Sequence, residues 1–328
     1  MHLAQPGLYS LKSRAESTVN IEGHPATNTG RKEIKPSDVP VITDSQVLTK
    51  AEYLGVGKLD ACEDILYDEK LGVIFTGCGD GWIKKVHIRN HTKNSELKIE
   101  NWVNTGGRPL GLAYGCHNEL IVADRQKGLL NVTGDGMVKV LTDEAEGNKF
   151  NHTNAVGVAS NGIIYFTDAS KNYEPLGRFM SFNPKTNQTK VLVRDIYFPN
   201  GMIITPDQKS VIFCESPKKR CNKYNIKSGK TKLFIENLPA RTDDIRYDGQ
   251  GHYWIALVDN GQVKSTPVYG TQGGAYAITL EGKPVAHYSD YNFSLTACNK
   301  IGNHLYGAAI FFPYMVKFYS VPLPPPLP

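Results

Sequence analysis

No apolar run in the chain approaches the ~20 residues that a membrane-crossing helix needs, so no membrane span is expected. No long stretch carries helical periodicity, which points away from helical classes. The six cysteines include no Cys-X-X-Cys pair, which removes the usual zinc motifs. Several fall inside apolar strands and read as core thiols; one disulfide is allowed, its connectivity open. Neither sign of charge dominates: 37 Lys and Arg stand against 32 Asp and Glu, a formal net charge of +5. The basic residues are spread along turns, and the short run Lys218-Lys219-Arg220 reads as a solvated loop, so no nucleic-acid partner is expected. Residues 1–44 lack the apolar core of roughly 7–15 residues that a secretory signal requires. The expectation is a cytosolic protein, or a divergent or incomplete amino terminus.

What the chain does contain is a repeat. Aromatic and β-branched residues concentrate in short runs bounded by Gly, Asn, Asp and Pro, an all-β signature. Thr242-Asp243-Asp244-Ile245 opens a short strand, turns at Asp248-Gly249, and leads to the apolar run Tyr253-Trp254-Ile255-Ala256. The same grammar starts at Cys62-Glu63, Pro109-Leu110, Thr153-Asn154, Pro199-Asn200 and Leu295-Thr296. The second positions of these repeats lie 47, 44, 46, 43 and 53 residues apart. A period of roughly 40–50 residues with several strands each predicts a six-bladed β-propeller. The first strand of every blade lines the central channel, so Glu63, Asn154, Asn200 and Asp243 are expected to converge there. Four side-chain oxygens, two of them carboxylates, suit a hard cation of the calcium type. The plainer alternative is that they merely solvate a wet channel.

In chain order, residues 1–44 are polar and proline-interrupted and are expected to be poorly ordered. The propeller is expected over residues 45–320, followed by a proline-rich extended tail at 321–328. The strand-like run Gln46–Leu54 is expected to pair with the last blade near Tyr314–Val321, closing the ring without an open edge. Asn-X-Ser/Thr sequons at Asn90, Asn131, Asn151, Asn187 and Asn292 suggest a secretory route. His152, two residues before Asn154, reads either as a proton shuttle at the channel mouth or as a turn histidine without a role. Asp124 and Asp168 close second strands, as partners of a metal site or as strand-end hydrogen-bond acceptors. Tyr165, Phe166, Tyr253 and Trp254 are assigned to inner strands with a core role.

Several stretches are longer than chance repeats. Gly107-Arg108-Pro109-Leu110-Gly111-Leu112, Glu144-Ala145-Glu146-Gly147, Tyr165-Phe166-Thr167-Asp168-Ala169-Ser170 and Asp244 through Leu257 resemble the plant strictosidine synthase-like family. The resemblance runs from about Gly55 to Tyr319. It implies a six-bladed propeller and a vacuolar or other endomembrane protein. Strictosidine synthase itself condenses tryptamine with secologanin in a Pictet–Spengler reaction, using a glutamate at the start of the sixth blade. The register puts Thr296 there, and a threonine cannot carry a carboxylate's proton transfer near neutral pH. Ser294, Ala297, Cys298 and Asn299 offer no replacement.

The resemblance extends to calcium-dependent hydrolases: paraoxonase, regucalcin-type gluconolactonase and squid-type phosphotriesterase. Their ligand pattern implies calcium held by Glu63, Asn154, Asn200 and Asp243. Asp244, where these families carry asparagine, would supply a further oxygen. The ion would polarise a lactone, ester or phosphoryl oxygen, and Asp243 would be both ligand and base or nucleophile. Paraoxonase carries a histidine where this chain has Leu110, so that histidine's role does not transfer. Three readings result: a calcium-dependent hydrolase acting as a monomer on a small molecule, a bond-forming synthase with an altered catalytic residue, and a non-enzymatic binding propeller.

Overall fold

Five-residue, mainly apolar runs such as Val73–Gly77 and Leu120–Asp124 are buried along their whole length. That follows when a strand is covered on both faces, as the second strand of a blade is by its two neighbouring blades. Fourth strands such as Val138–Thr142 and Thr231–Ile235 carry mainly exposed residues and form the outer edge. A computed structural model describes residues 41–42, 51–92, 96–170, 172–258, 273–289, 294–319 and 321. Within them six sheets form the blades, the consecutive strands of each antiparallel and running from the channel outward, and Glu144–Ala145 pairs with Asn148–Lys149 as a separate two-stranded sheet. The inner strands are Leu66–Asp68, Pro109–Tyr114, Thr153–Val158, Pro199–Ile204, Arg241–Tyr247 and Ala297–Ile301. The protein is a six-bladed β-propeller.

Its core is divided among the seams between blades. Among the described residues one apolar cluster spans each pair of neighbouring blades, from Phe75 with Leu112 round to Tyr306 with Ile65. Phe179 shows how such a seam is packed. It is fully buried and stacks between Tyr165 at 6.0 Å and Phe213 at 4.9 Å. The last blade is completed from the other end of the chain: Glu52–Leu54 pairs antiparallel with Met315–Phe318. Glu52 fixes this joint by accepting from His91 Nε2 at 2.8 Å and from the Tyr319 hydroxyl.

Some expectations change. Val41–Ile42, inside the segment expected to lack order, adds a parallel fifth strand beside Pro284–Ser289; residues 1–40, Asn292 and the tail at 322–328 lie outside the described residues. Tyr165, Phe166, Tyr253 and Trp254 are core residues, but on second rather than inner strands. Four cysteines are not thiols: Cys62 bonds to Cys78, and Cys214 to Cys221. The second pair lies directly across a hairpin, at paired register positions that a count of cysteines does not reveal.

The inner strands share one irregularity that aims the site. In blades two to five the register slips so that two residues oppose one on the second strand. The bulged pairs are Leu110-Gly111, Asn154-Ala155, Asn200-Gly201 and Asp243-Asp244, the repeat's second and third positions. A bulge bends the strand and re-aims a side chain. The third position turns toward the next blade's inner strand. A Cβ on Gly111 would meet the Asn154 carbonyl oxygen at 2.6 Å, and one on Gly201 the Asp243 carbonyl oxygen at 2.4 Å. Glycine at these places lets consecutive inner strands close tightly around the channel.

Candidate active site in the central channel

All six second positions line one cavity of about 170 Å³: Glu63, Leu110, Asn154, Asn200, Asp243 and Thr296. The convergence expected from the repeat spacing is therefore present. Glu63 is held by its backbone N–H, which donates to the Gly77 carbonyl at 2.9 Å, and by the disulfide on the adjacent Cys62. Glu63, Asn154, Asn200 and Asp243 are each less than one-tenth exposed. Buried oxygens normally have hydrogen-bond partners. Yet Glu63 Oε2, Asn200 Oδ1 and Asp243 Oδ1 are buried with no donor among the described residues.

Burial pushes the Glu63 carboxyl up to about 7, with Arg108 and Arg125 opposing and Asp64 adding to the rise. Burial also holds Asp243 well above the usual carboxylate range, reinforced by Glu63 and Asp244, while a hydrogen bond from Asn200 works against it. Two carboxyls both held above their usual range in one buried cavity are poised for a cation between them. Among the described residues no three His, Cys, Asp or Glu side chains gather as a metal centre. Any ion here depends on the two asparagine oxygens completing an all-oxygen set. Calcium accepts such amide oxygens readily, so the donor chemistry and the unpartnered atoms fit that ion.

Asp244 does not line this cavity. As a third-position residue it faces sideways, and it hydrogen-bonds to Asp64 beside Arg246. Burial, then the Asp64 charge, push its carboxyl well above the usual range. Asp64 is itself taken up by Leu112 N–H at 2.7 Å and Arg246 Nε at 3.1 Å. Thr296 sits in the wall, fully buried, with Oγ1 3.4 Å from the Ala308 carbonyl.

A second layer lies above the first, and the sequence reading missed most of it. Residues two positions earlier in the register, Arg108, His152, Phe198 and Arg241, all line the same cavity. In a strand, residues i and i+2 share a face, so the signal was available: the same repeat read two residues upstream. Loops after the second strands add Arg125, Tyr173 and Phe311 at the mouth. His152 stands in the cavity wall. Its ring meets Phe198 edge-on at 5.3 Å, and burial, helped by Arg125 and Arg108, pushes it down to about 4. Asp168 holds the loop under it by accepting from the His152 backbone N–H at 2.7 Å and pairing with Arg178. Asp124 does the same for the preceding blade, accepting from Arg108 N–H at 3.0 Å and Thr105 Oγ1 at 2.8 Å. Both aspartates are strand-end acceptors that shape the site without entering it.

A sequence profile described as strictosidine synthase matches residues 154–229, which carry Asn154 and Asn200. Strictosidine synthase-like protein 7 of Arabidopsis thaliana is 45% identical over 305 residues, covering 82% of this chain and 82% of its own. The chain belongs to the strictosidine synthase-like family. Relatives of the family reach beyond plants: an adipocyte plasma membrane-associated protein of Gallus gallus is 31% identical over 66% of this chain and 58% of its own. Among solved structures, a gluconolactonase from Xanthomonas campestris superposes with a TM-score of 0.66 at 14% identity, covering 87% of this chain and 94% of its own. Regucalcin from Agrobacterium tumefaciens, described as a calcium-binding protein, gives 0.60 at 14% identity, covering 83% and 96%. At such identities the likeness establishes the propeller alone. No helix among the described residues of this strictosidine synthase-like chain is long and apolar enough to cross a membrane.

Proposed function

We propose that this strictosidine synthase-like protein is a calcium-dependent hydrolase of small lactones, aryl esters or phosphotriesters. The observation that carries the reading is the set of buried, unpartnered oxygens on Glu63, Asn200 and Asp243, aimed into one cavity with Asn154. Leaving such atoms unsatisfied is costly, and a hard cation is the group that satisfies all of them together. The bound ion would supply Lewis acidity toward a carbonyl or phosphoryl oxygen. Asp243 takes the proton of the attacking water on its carboxylate. His152, kept neutral by burial, is the second proton acceptor in the same wall. Leu110 and the apolar mouth residues exclude bulk water.

Thr296 weighs against a Pictet–Spengler synthase, because the wall at that point holds no carboxyl group to move the proton. Secretory or endomembrane residence, including the vacuole, is the compartment we favour. Its support is the pair of disulfides, which persist in oxidising compartments, and the exposed sequon asparagines Asn90, Asn151 and Asn187. The test is elemental analysis of the purified protein, followed by a lactone and aryl-ester panel with and without chelator. Chelator-sensitive turnover supports the reading; bound calcium with no turnover of any substrate would leave a binding propeller instead.

A further inference from the structure

The upper layer of the cavity carries more positive charge than the lower layer can use. Arg108, Arg125 and Arg241 line it against only two carboxylates, Glu63 and Asp243. Once a divalent cation engages those carboxylates, the guanidiniums have no counter-charge in the cavity. Arg108 and Arg125 are also neighbours: the Arg125 N–H donates to the Arg108 carbonyl at 2.9 Å. Arg108 is anchored through one arm, Nη2 to the Ala61 carbonyl at 2.6 Å, while Nη1 is buried with no acceptor among the described residues. The Arg125 charge acts unfavourably on the Arg108 guanidinium; an anion between them relieves that repulsion, and a carboxylate is matched to their planar N–H forks.

Another part of the cavity wall is aromatic and is held in an uncommon backbone state. Tyr173 and Phe198 touch at 4.8 Å, and both have left-handed φ, 57° and 45°. Bulky aromatic residues rarely adopt that region, and such positions collect at ligand sites. Arg241 lies over the Tyr173 ring at 5.4 Å and so braces this wall.

We infer that the substrate is an ester or lactone with an aromatic or otherwise flat apolar body that also carries a separate carboxylate, seated by Arg108 and Arg125 while the body lies on Tyr173 and Phe198. This rests on the hydrolase reading for the reacting bond, but the anion seat is testable without turnover.

The probe is benzoate against its neutral isostere benzamide, titrated calorimetrically at saturating calcium. Benzoate is expected to bind about tenfold tighter or better, since charge-assisted hydrogen bonds carry that preference. The preference should fall to about twofold in Arg108→Gln and in Arg125→Gln. Arg125 is exposed, so its replacement leaves folding intact, and Arg125→Lys, which keeps the charge, should retain much of the preference. Equal binding of the two probes overturns the inference. So does a benzoate preference that survives in both Gln variants, because the carboxylate is then held by the ion alone. Benzoate preference without hydrolysis of any ester supports the seat and removes only the hydrolase reading. Ester hydrolysis without benzoate preference keeps that reading and removes the seat.

Discussion

Replacing Glu63 by Gln should stabilise the protein in chelator and destabilise it in calcium. Without an ion, Glu63 is a buried carboxyl raised from its usual 4.5 to about 7. A carboxyl raised on folding favours the native state below its unfolded value and loses that contribution as pH rises through the folded value. The chelated parent should therefore be most stable near pH 5 and lose stability up to pH 7–8. At about 1.36 kcal/mol per pH unit, the shift corresponds to roughly 3 kcal/mol at pH 8. Asp243 is raised in the same direction and adds to the trend. The replacing amide carries no charge, so Glu63→Gln recovers most of that energy. For a domain of this size, about 2–4 °C per kcal/mol predicts a melting temperature several degrees above the parent in chelator at pH 8. Calcium reverses the sign. An ion at 100 times its dissociation constant stabilises by about 2.7 kcal/mol, and the variant, short of one ligand charge, forfeits most of this. Melting curves at pH 5 and pH 8, each with chelator and with calcium, read all four cases. A variant that melts below the parent in chelator at pH 8, or a parent indifferent to calcium, refutes the reasoning.

Asp243→Asn keeps an oxygen ligand but loses basicity: calcium binding should weaken yet remain measurable, while ester or lactone turnover at saturating calcium falls ~10²–10⁴-fold. Near-parental turnover would reduce Asp243 to a ligand and pass the role of base to His152. Purified protein given tryptamine and secologanin should form no strictosidine, because Thr296 stands where a carboxylate is required; product detected by mass spectrometry would defeat that use of the register. Gly201→Ala should lower stability by about 1–3 kcal/mol and weaken calcium binding together, since the new Cβ collides with the backbone of Asp243 and Asp244. Gly134→Ala, where a Cβ meets nothing within 4 Å, is the control, and equal effects of the two would refute the close-approach argument.

The repeats made the architecture readable because each strand's burial is written in its own residues. A fully apolar run such as Ile163–Phe166 must be covered on both faces, and the turn residues around it set the blade length. Equivalent positions in successive repeats then bring Glu63, Asn154, Asn200 and Asp243 together by the ring's symmetry, without any knowledge of their contacts. The closing strand at Glu52–Leu54 was legible for a similar reason, since an open sheet edge has to be paired. What depends on partners distant in the chain was not legible. Asp243 and Asp244 are adjacent and chemically alike, yet one enters the cavity and the other turns to Asp64, because a bulge separates the directions of their side chains and Arg246 meets Asp64 across 182 residues of sequence. The Cys214–Cys221 disulfide depends on which cysteines share a register across a hairpin. The layer of Arg108, His152, Phe198 and Arg241 had a periodic signal, but its residues share no chemical type, so only their common wall in the folded ring identifies them as one surface. Sequence alone determined the ring and its lower oxygen set; the tertiary structure decided which neighbouring side chains enter the cavity, which form its upper layer and which lock one blade to the next.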